Sequence, residues 1–325
     1  MAERRLFALL GHPVRQSVSP VMHSAAFRAL DLPHIYSAYD VPTEKDLARF
    51  VDDIRSGLFA GANVTIPHKK RVLALVDEID ESAREVGAAN VLCRTPDRRV
   101  IAYNTDVPAL ADELDELLRG ATSKIVDARA LREVPSSPRQ RAMIIGAGGA
   151  GIAAIAACRR LGFPLISVTT RSWSSSEVML ESPAAERARE LGALTAPWPM
   201  ESTAVRSRAS LALRLNWSEL AVAADLIVQA TSAGMIGGPP GEDVAGIVPW
   251  EGLQPHARAY EVVYNPPVTP FLRLARLRGL RAMDGVGMVV GQAARSFSLW
   301  TGLDAPVDAM RAAADESLEK AASVR

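Results

Sequence analysis

At 325 residues, 48% of them hydrophobic and 23% charged, the chain is long enough for two cored domains and has an ordinary globular composition. Lys plus Arg and Asp plus Glu both number 37, so the net charge is zero and nothing global points to nucleic acid or a membrane surface. Cys93 and Cys158 cannot build a disulfide framework and lack metal-ligand spacing, and the longest apolar stretch, 143–158, is glycine-interrupted and too short to span a bilayer, so a cytoplasmic enzyme without a metal is expected.

Residues 6–10 read as a first strand, too short before Gly11-His12-Pro13 to be a signal peptide. Ser17-Val18-Ser19 sets two hydroxyls beside a helix start, with Ser19 expected as N-cap and Pro20 in the first turn of a helix over 20–30. A strand at 35–39 and a helix at 44–56 follow, the helix opened by Thr43 and closed by Gly57. The stretch Gly61-Ala62-Asn63-Val64-Thr65-Ile66-Pro67-His68-Lys69-Lys70 then reads as a β-branched strand running into a helix whose apolar residues are Val72, Leu73, Leu75, Val76 and Ile79. On that reading Lys69, Lys70 and Arg71 crowd a helix N-terminus, where the dipole disfavours cations. Such a misfit suits a proton-exchanging lysine, Lys69, although a solvated basic patch explains the charges equally well. Residues 88–94 and 99–103 form an expected hairpin around Pro96-Asp97, and Asn104-Thr105-Asp106 leads into a helix over 107–119 ended by Gly120. Asn63, Thr65, Asn90, Asn104, Asp106 and Gln292 each read, taken singly, as turn or cap residues.

A polar, Pro/Ser-bearing stretch at 120–140 breaks the rhythm as a linker or insertion. A second unit begins with the strand 142–145, which runs through Gly146-Ala147-Gly148-Gly149-Ala150-Gly151 into a helix over 152–161 and a strand at 165–169. G-x-G-x-x-G in this setting is a dinucleotide fingerprint: its glycines let backbone N–H groups approach a pyrophosphate at a helix N-terminus. Where an NAD-selective unit carries Asp or Glu, this chain has Thr170-Arg171-Ser172, which suits a 2′-phosphate. The region 172–224 supports only helices near 184–191 and 218–224. Strands at 226–228 and 259–263, a helix from Thr269-Pro270 and a last helical region after Gly285-Val286-Gly287 complete the pattern.

Taken together the motifs resemble the shikimate dehydrogenase family. The resemblance lies in Ser17–Pro20 with His23, Gly61–Lys69, Gly87-Ala88-Ala89-Asn90, Asn104-Thr105-Asp106 and Gly146–Gly151. It continues in Ala230–Met235, Tyr264-Asn265-Pro266, Gly285–Met288, Gln292-Ala293 and Trp300-Thr301-Gly302. It implies an α/β fold: an N-terminal substrate-binding domain (1–108), a Rossmann-like doubly wound NADP-binding domain (109–284), and C-terminal helices (285–325) returning to the first. It implies NADP(H)-dependent interconversion of 3-dehydroshikimate and shikimate. Lys69 and Asp106 are expected to manage the proton, and Ser17, Ser19, Thr65, Asn90, Tyr264 and Gln292 to hold substrate. Gly146 to Gly151, Thr170, Arg171, Ser172, Val262 and Gly285 are expected to hold cofactor. A small-molecule substrate, no nucleic acid, no membrane and a monomer or homodimer complete the expectation. The chain departs from the family pattern at Val91, Val107-Pro108-Ala109, Thr170, Gln229 and Glu261, none of which removes a catalytic group. Quinate or quinate/shikimate oxidation is the near alternative; a catalytically silent nucleotide-binding regulator is the distant one.

Overall fold

The structure, a computed structural model, describes residues 3–120, 141–199, 217 and 219–323. Residues 121–140 of the expected linker at 120–140, and 200–216 and 218 of the region 172–224, lie outside the described residues. The chain divides into two compact units, Met1–Ala109 with Val286–Arg325, and Leu110–Gly285.

The first unit is built on strands β1 (Leu6–Gly11), β2 (Ile35–Asp40), β3 (Gly61–Val64), β4 (Glu78–Ile79), β5 (Val91–Arg94) and β6 (Val100–Tyr103). They form one mixed sheet in the order β2-β1-β3-β5-β6-β4. The pairs β1–β2, β1–β3 and β4–β6 are parallel, whereas β3–β5 and β5–β6 are antiparallel. β3 is buried at all four residues, as a central strand covered on both faces must be. The helix Glu44–Ser56 turns Leu47, Val51 and Ile54, spaced as one helical face, into a core with Ala8, Leu10, Val64 and Leu92. Thr43 caps it by accepting the Asp46 N–H, and Gly57 ends it at φ 97°, where glycine carries no Cβ penalty. Gly61 admits no larger residue, because a Cβ there would sit 2.5 Å from Trp300 Nε1 and 2.7 Å from the Leu92 carbonyl.

The expected helix after Pro67 does not form. Residues Arg71–Ala74 make one 3₁₀ turn, and Glu78–Ile79 pair with β6 as β4. Asp77 fixes this outcome: its carboxylate accepts the Val100 N–H at 2.8 Å and the Arg55 guanidinium at 2.9 Å, tying the segment to the sheet. The helix-dipole account of Lys69 therefore falls away, since no helix begins there. Ser19 is likewise not an N-cap. The Met22 N–H that it would bind already donates to the Val18 carbonyl, so Ser19 lies inside the helix Ser19–Ala29.

The second unit holds β7 (Arg141–Ile145), β8 (Leu165–Thr169), β9 (Leu194–Thr195), β10 (Leu226–Gln229), β11 (Arg258–Glu261) and β12 (Arg281–Met283). All pairs are parallel, in the order β12-β11-β10-β7-β8-β9. Counted from β7 this is 3-2-1-4-5-6, the doubly wound arrangement whose order reverses between β7 and β10. The near-continuous apolar runs of β7 and β10 suit strands buried on both faces. Among the described residues no helix is long and apolar enough to cross a membrane.

Candidate active site

The segment carrying Lys69 is pinned by backbone hydrogen bonds on both sides. The Thr65 N–H donates to the Leu10 carbonyl, the His68 N–H to the Thr65 carbonyl, and the Ala89 N–H to the Lys69 carbonyl, all at 2.8–2.9 Å. The buried His68 ring adds a bond from Nε2 to the Val41 carbonyl at 2.6 Å. From this turn Lys69 Nζ donates to Asp106 Oδ2 at 2.7 Å, the two side chains being 21% and 6% exposed.

Asp106 opens the helix Asp106–Arg119 but does not cap it. Asn104 Oδ1 does so, accepting the N–H groups of Asp106 and Val107 at 3.0 and 3.2 Å, which leaves the Asp106 carboxylate to face Lys69. Asn90 Nδ2 donates to Asp106 Oδ1 and Thr105 Oγ1, each at 2.9 Å, and to Gln292 Oε1 at 3.2 Å. Asn90 Oδ1 accepts the Thr105 N–H at 2.8 Å. Both Asp106 oxygens are thus partnered, one by a cation and one by an amide. An ammonium carries three N–H groups, so Lys69 keeps donors for a further oxygen beyond the one given to Asp106.

A second polar layer lies behind this one. The Tyr36 hydroxyl donates to Asn63 Oδ1 at 2.8 Å, and Asn63 Nδ2 donates to the Asn90 carbonyl at 3.1 Å and Ser296 Oγ at 2.9 Å. Ser296 in turn donates to the Gln292 carbonyl. Burial holds the Tyr36 phenol well above its ordinary pKa, with the Ser19 hydroxyl pulling weakly the other way. The His23 ring stacks on Tyr36 at 4.3 Å, and burial pushes its pKa down to about 3, partly opposed by Asn63. Tyr36, Thr105 and Ser296 were not among the expected site residues. Asn63, read from the sequence as a turn or cap residue, instead lies in a fully buried strand.

Ser17 Oγ donates to Ser19 Oγ at 3.1 Å and accepts the Ser19 N–H at 3.2 Å, so the paired hydroxyls do meet at the start of the helix Ser19–Ala29. Tyr264 follows β11 and belongs to the second unit, so the expected substrate set is not confined to the first.

In the second unit the glycine-rich turn is close-packed behind and open in front. A Cβ on Gly151 would lie 1.9 Å from the Gly146 carbonyl, and one on Gly146, at φ 116°, would lie 2.8 Å from the Ala230 carbonyl. A Cβ on Gly148 would meet nothing within 4 Å. Gly148 is the N-cap of the helix Gly149–Arg160 and supplies no side-chain oxygen to its first N–H groups. Gly148, Gly149 and Ala150 thus present backbone donors to open space, which fits a pyrophosphate. Ala147 is buried beside them. The Gly146 N–H donates to the Thr169 carbonyl at 2.7 Å, joining the ends of β7 and β8. Thr170-Arg171-Ser172 follows as a turn closed by the Trp173 N–H on the Thr170 carbonyl. Arg171 Nη1 is already engaged, donating to Asp243 Oδ2 at 3.0 Å. Val262 and Gly285 are in contact: a Cβ on Gly285 would fall 2.2 Å from the Val262 carbonyl. Beneath them Glu261, fully buried, accepts from Gln229 Nε2 at 3.1 Å and from the Thr269 hydroxyl.

Residues 9–92 match the family described as shikimate dehydrogenase substrate binding domain, and residues 285–314 the family described as shikimate 5'-dehydrogenase C-terminal domain. The chain is 35% identical over 322 residues to the shikimate dehydrogenase (NADP(+)) of Methanopyrus kandleri, covering 98% of this chain and 97% of that one. It is similar to the solved structure of shikimate 5-dehydrogenase from Thermus thermophilus in complex with NADP(H) and shikimate. There the TM-score is 0.72 at 30% identity, over 97% of this chain and 100% of that one. It is also similar to quinate dehydrogenase from Corynebacterium glutamicum in complex with NAD, with a TM-score of 0.74 at 25% identity over 96% and 99% of the two chains.

Proposed function

The chain belongs to the shikimate dehydrogenase family, and from that premise we propose that it reduces the ring ketone of 3-dehydroshikimate to the alcohol of shikimate, reversibly, with NADPH. The observation that carries the reading is the half-buried Lys69–Asp106 contact at 2.7 Å, with Asn90 and Gln292 in the same hydrogen-bonded cluster. When bound, NADPH would supply a hydride for the ring carbonyl carbon. As the carbonyl π pair moves onto oxygen, Lys69 Nζ stabilises the negative charge and delivers the proton that completes the hydroxyl. Asp106 orients Lys69 and accepts from a neighbouring ring hydroxyl, while Asn90 and Gln292 read the same edge of the ring. Ser17, Ser19, Thr65 and Tyr264 bind the substrate carboxylate and its surroundings. The glycine-rich turn, Thr170-Arg171-Ser172, Val262 and Gly285 bind the cofactor.

The test is a rate assay with shikimate and quinate, each with both nicotinamide cofactors, on the parent and on Lys69→Ala, Asp106→Ala and the double variant. Lys69→Ala lowers kcat by roughly 10²–10⁴, with cofactor affinity nearly unchanged. The double variant loses far less than the product of the single losses, because the two groups act as a unit. A Lys69→Ala enzyme with near-normal kcat refutes the assignment. Higher kcat/KM for quinate than for shikimate moves the chain to the quinate-oxidising relatives, and no turnover of either by the parent leaves a nucleotide-binding regulator.

A further inference from the structure

Arg171 is the only Lys or Arg between Arg160 and Arg187, so a 2′-phosphate at the end of β8 has one local cation in the sequence to meet it. That cation is paired. Arg171 Nη1 donates to Asp243 Oδ2 at 3.0 Å, with the two side chains 54% and 51% exposed. The partners come from different places in the chain. Arg171 lies in the turn after β8, whereas Asp243 lies in the short helix Glu242–Gly246, which follows β10 and its loop. β8 and β10 flank β7 on its two sides, so the pair crosses the carboxyl end of β7. Ligands of open α/β sheets bind at the carboxyl ends of the strands where the order reverses, between β7 and β10 here. Asp243 is therefore a carboxylate held at the mouth of the nucleotide crevice, against the one guanidinium expected to read the phosphate.

We propose that Asp243 is a cofactor-specificity residue that opposes the 2′-phosphate and narrows the preference for NADP(H) over NAD(H); this rests on the reading of Arg171 as the phosphate's partner. A guanidinium recognises a phosphate best with two parallel N–H groups, and with Nη1 on Asp243 the Nε/Nη2 edge is the one left to offer them, beside the carboxylate. A phosphate of nearly two negative charges seated on the same guanidinium also comes close to the Asp243 carboxylate, with Glu242 beside it in sequence. A free ribose 2′-hydroxyl pays no such penalty and finds in Asp243 an acceptor. The carboxylate that cofactor selection ordinarily places after the second strand is here delivered from behind the fourth, where no local motif reveals it.

The test is a charge series at Asp243, measured on the full chain with NADP⁺ and NAD⁺, together with Arg171→Ala. Because the pair is exposed, the effect is modest: Asp243→Asn raises the NADP⁺/NAD⁺ ratio of kcat/KM by about two- to fivefold, mostly through a lower KM for NADP⁺. Asp243→Lys raises it further, and both gains shrink as ionic strength increases. Binding of adenosine 2′,5′-bisphosphate tightens in the same order, while binding of AMP stays flat. If Arg171→Ala lowers the ratio but the Asp243 series leaves it unchanged or lowers it, Asp243 merely orients Arg171 and the proposal is wrong. If neither Arg171→Ala nor the Asp243 series moves the ratio, the phosphate is bound elsewhere, and the reading of Arg171 fails along with the proposal.

Discussion

Glu261→Gln is the substitution whose consequence is most fully determined by its surroundings. Glu261 ends β11 with no solvent exposure, and burial pushes its pKa from 4.5 up to about 7. Hydrogen bonds from Thr269 and Gln229 and the charge of Arg276 oppose that rise, while Asp284 adds to it. A carboxyl whose folded pKa lies above its unfolded one stabilises the fold fully below pH 4.5 and loses that contribution as pH climbs through about 7. A rise of that size, at about 1.36 kcal/mol per pKa unit, amounts to about 3 kcal/mol between acid and mildly alkaline solution. Glutamine mimics the protonated side chain. Its oxygen still accepts from Gln229 and its amide donates to Thr269 Oγ. That oxygen already accepts the Leu272 N–H, so the Thr269 proton loses its partner at a cost of about 1 kcal/mol. Glu261→Gln therefore destabilises the second unit by about 1 kcal/mol at pH 4.5 and stabilises it by about 2 kcal/mol at pH 8.5. Urea unfolding followed by tryptophan fluorescence reads this, because Trp173, Trp217 and Trp250 are buried in that unit. A parent whose stability is flat from pH 5 to 8, or a variant with the parent's slope, refutes the argument.

The first unit carries the opposite pH dependence. His23, neutral in the fold with its pKa depressed from 6.5 to about 3, stabilises above pH 6.5 and loses that contribution as pH falls toward 3. His23→Phe should remove an acid-side loss of about 2 kcal/mol at pH 5, measured by unfolding at pH 5 and 7.5; equal stability changes at the two pH values would refute it. Ser17→Ala should raise KM for shikimate about tenfold with kcat within about twofold, since a substrate carboxylate is bound alike in ground and transition states. It should also loosen the start of the helix Ser19–Ala29, because Ser17 accepts the Ser19 N–H. Unchanged KM would put the carboxylate site elsewhere.

What could be read from the residues depended on how local its cause was. The glycine-rich turn was legible because Gly146, Gly148 and Gly151 answer demands made within six residues: a positive φ, an open face and a close approach. The caps at Thr43 and Thr269 and the stop at Gly57 were legible for the same reason. The segment after Pro67 was misread because five apolar residues matched a helical period. A carboxylate, Asp77, meanwhile held the chain against β6 through the Val100 N–H. Spacing carries no information about a partner 23 residues away.

The proposed acid–base pair shows the same limit from the other side. Nothing within Gly61–Lys70 says that Lys69 meets Asp106, and the helix dipole first invoked for Lys69 does not exist. The meeting follows from two longer-range constraints and one local one. The Ala89 N–H holds the Lys69 carbonyl, Asn104 takes over the capping that Asp106 would otherwise perform, and Asn90 turns the carboxylate toward Lys69. Each of these is an amide, on the main chain or on a side chain, whose ordinary reading is a turn or a cap. Asn104 shows how such a role contributes: by capping the helix it leaves the Asp106 carboxylate to meet Lys69. Asp243 extends the argument to the second unit: it too is a first-turn acidic residue of an ordinary short helix, and only the sheet order brings it to Arg171. In both units the contact joins two partners, and a local motif supplies only one of them.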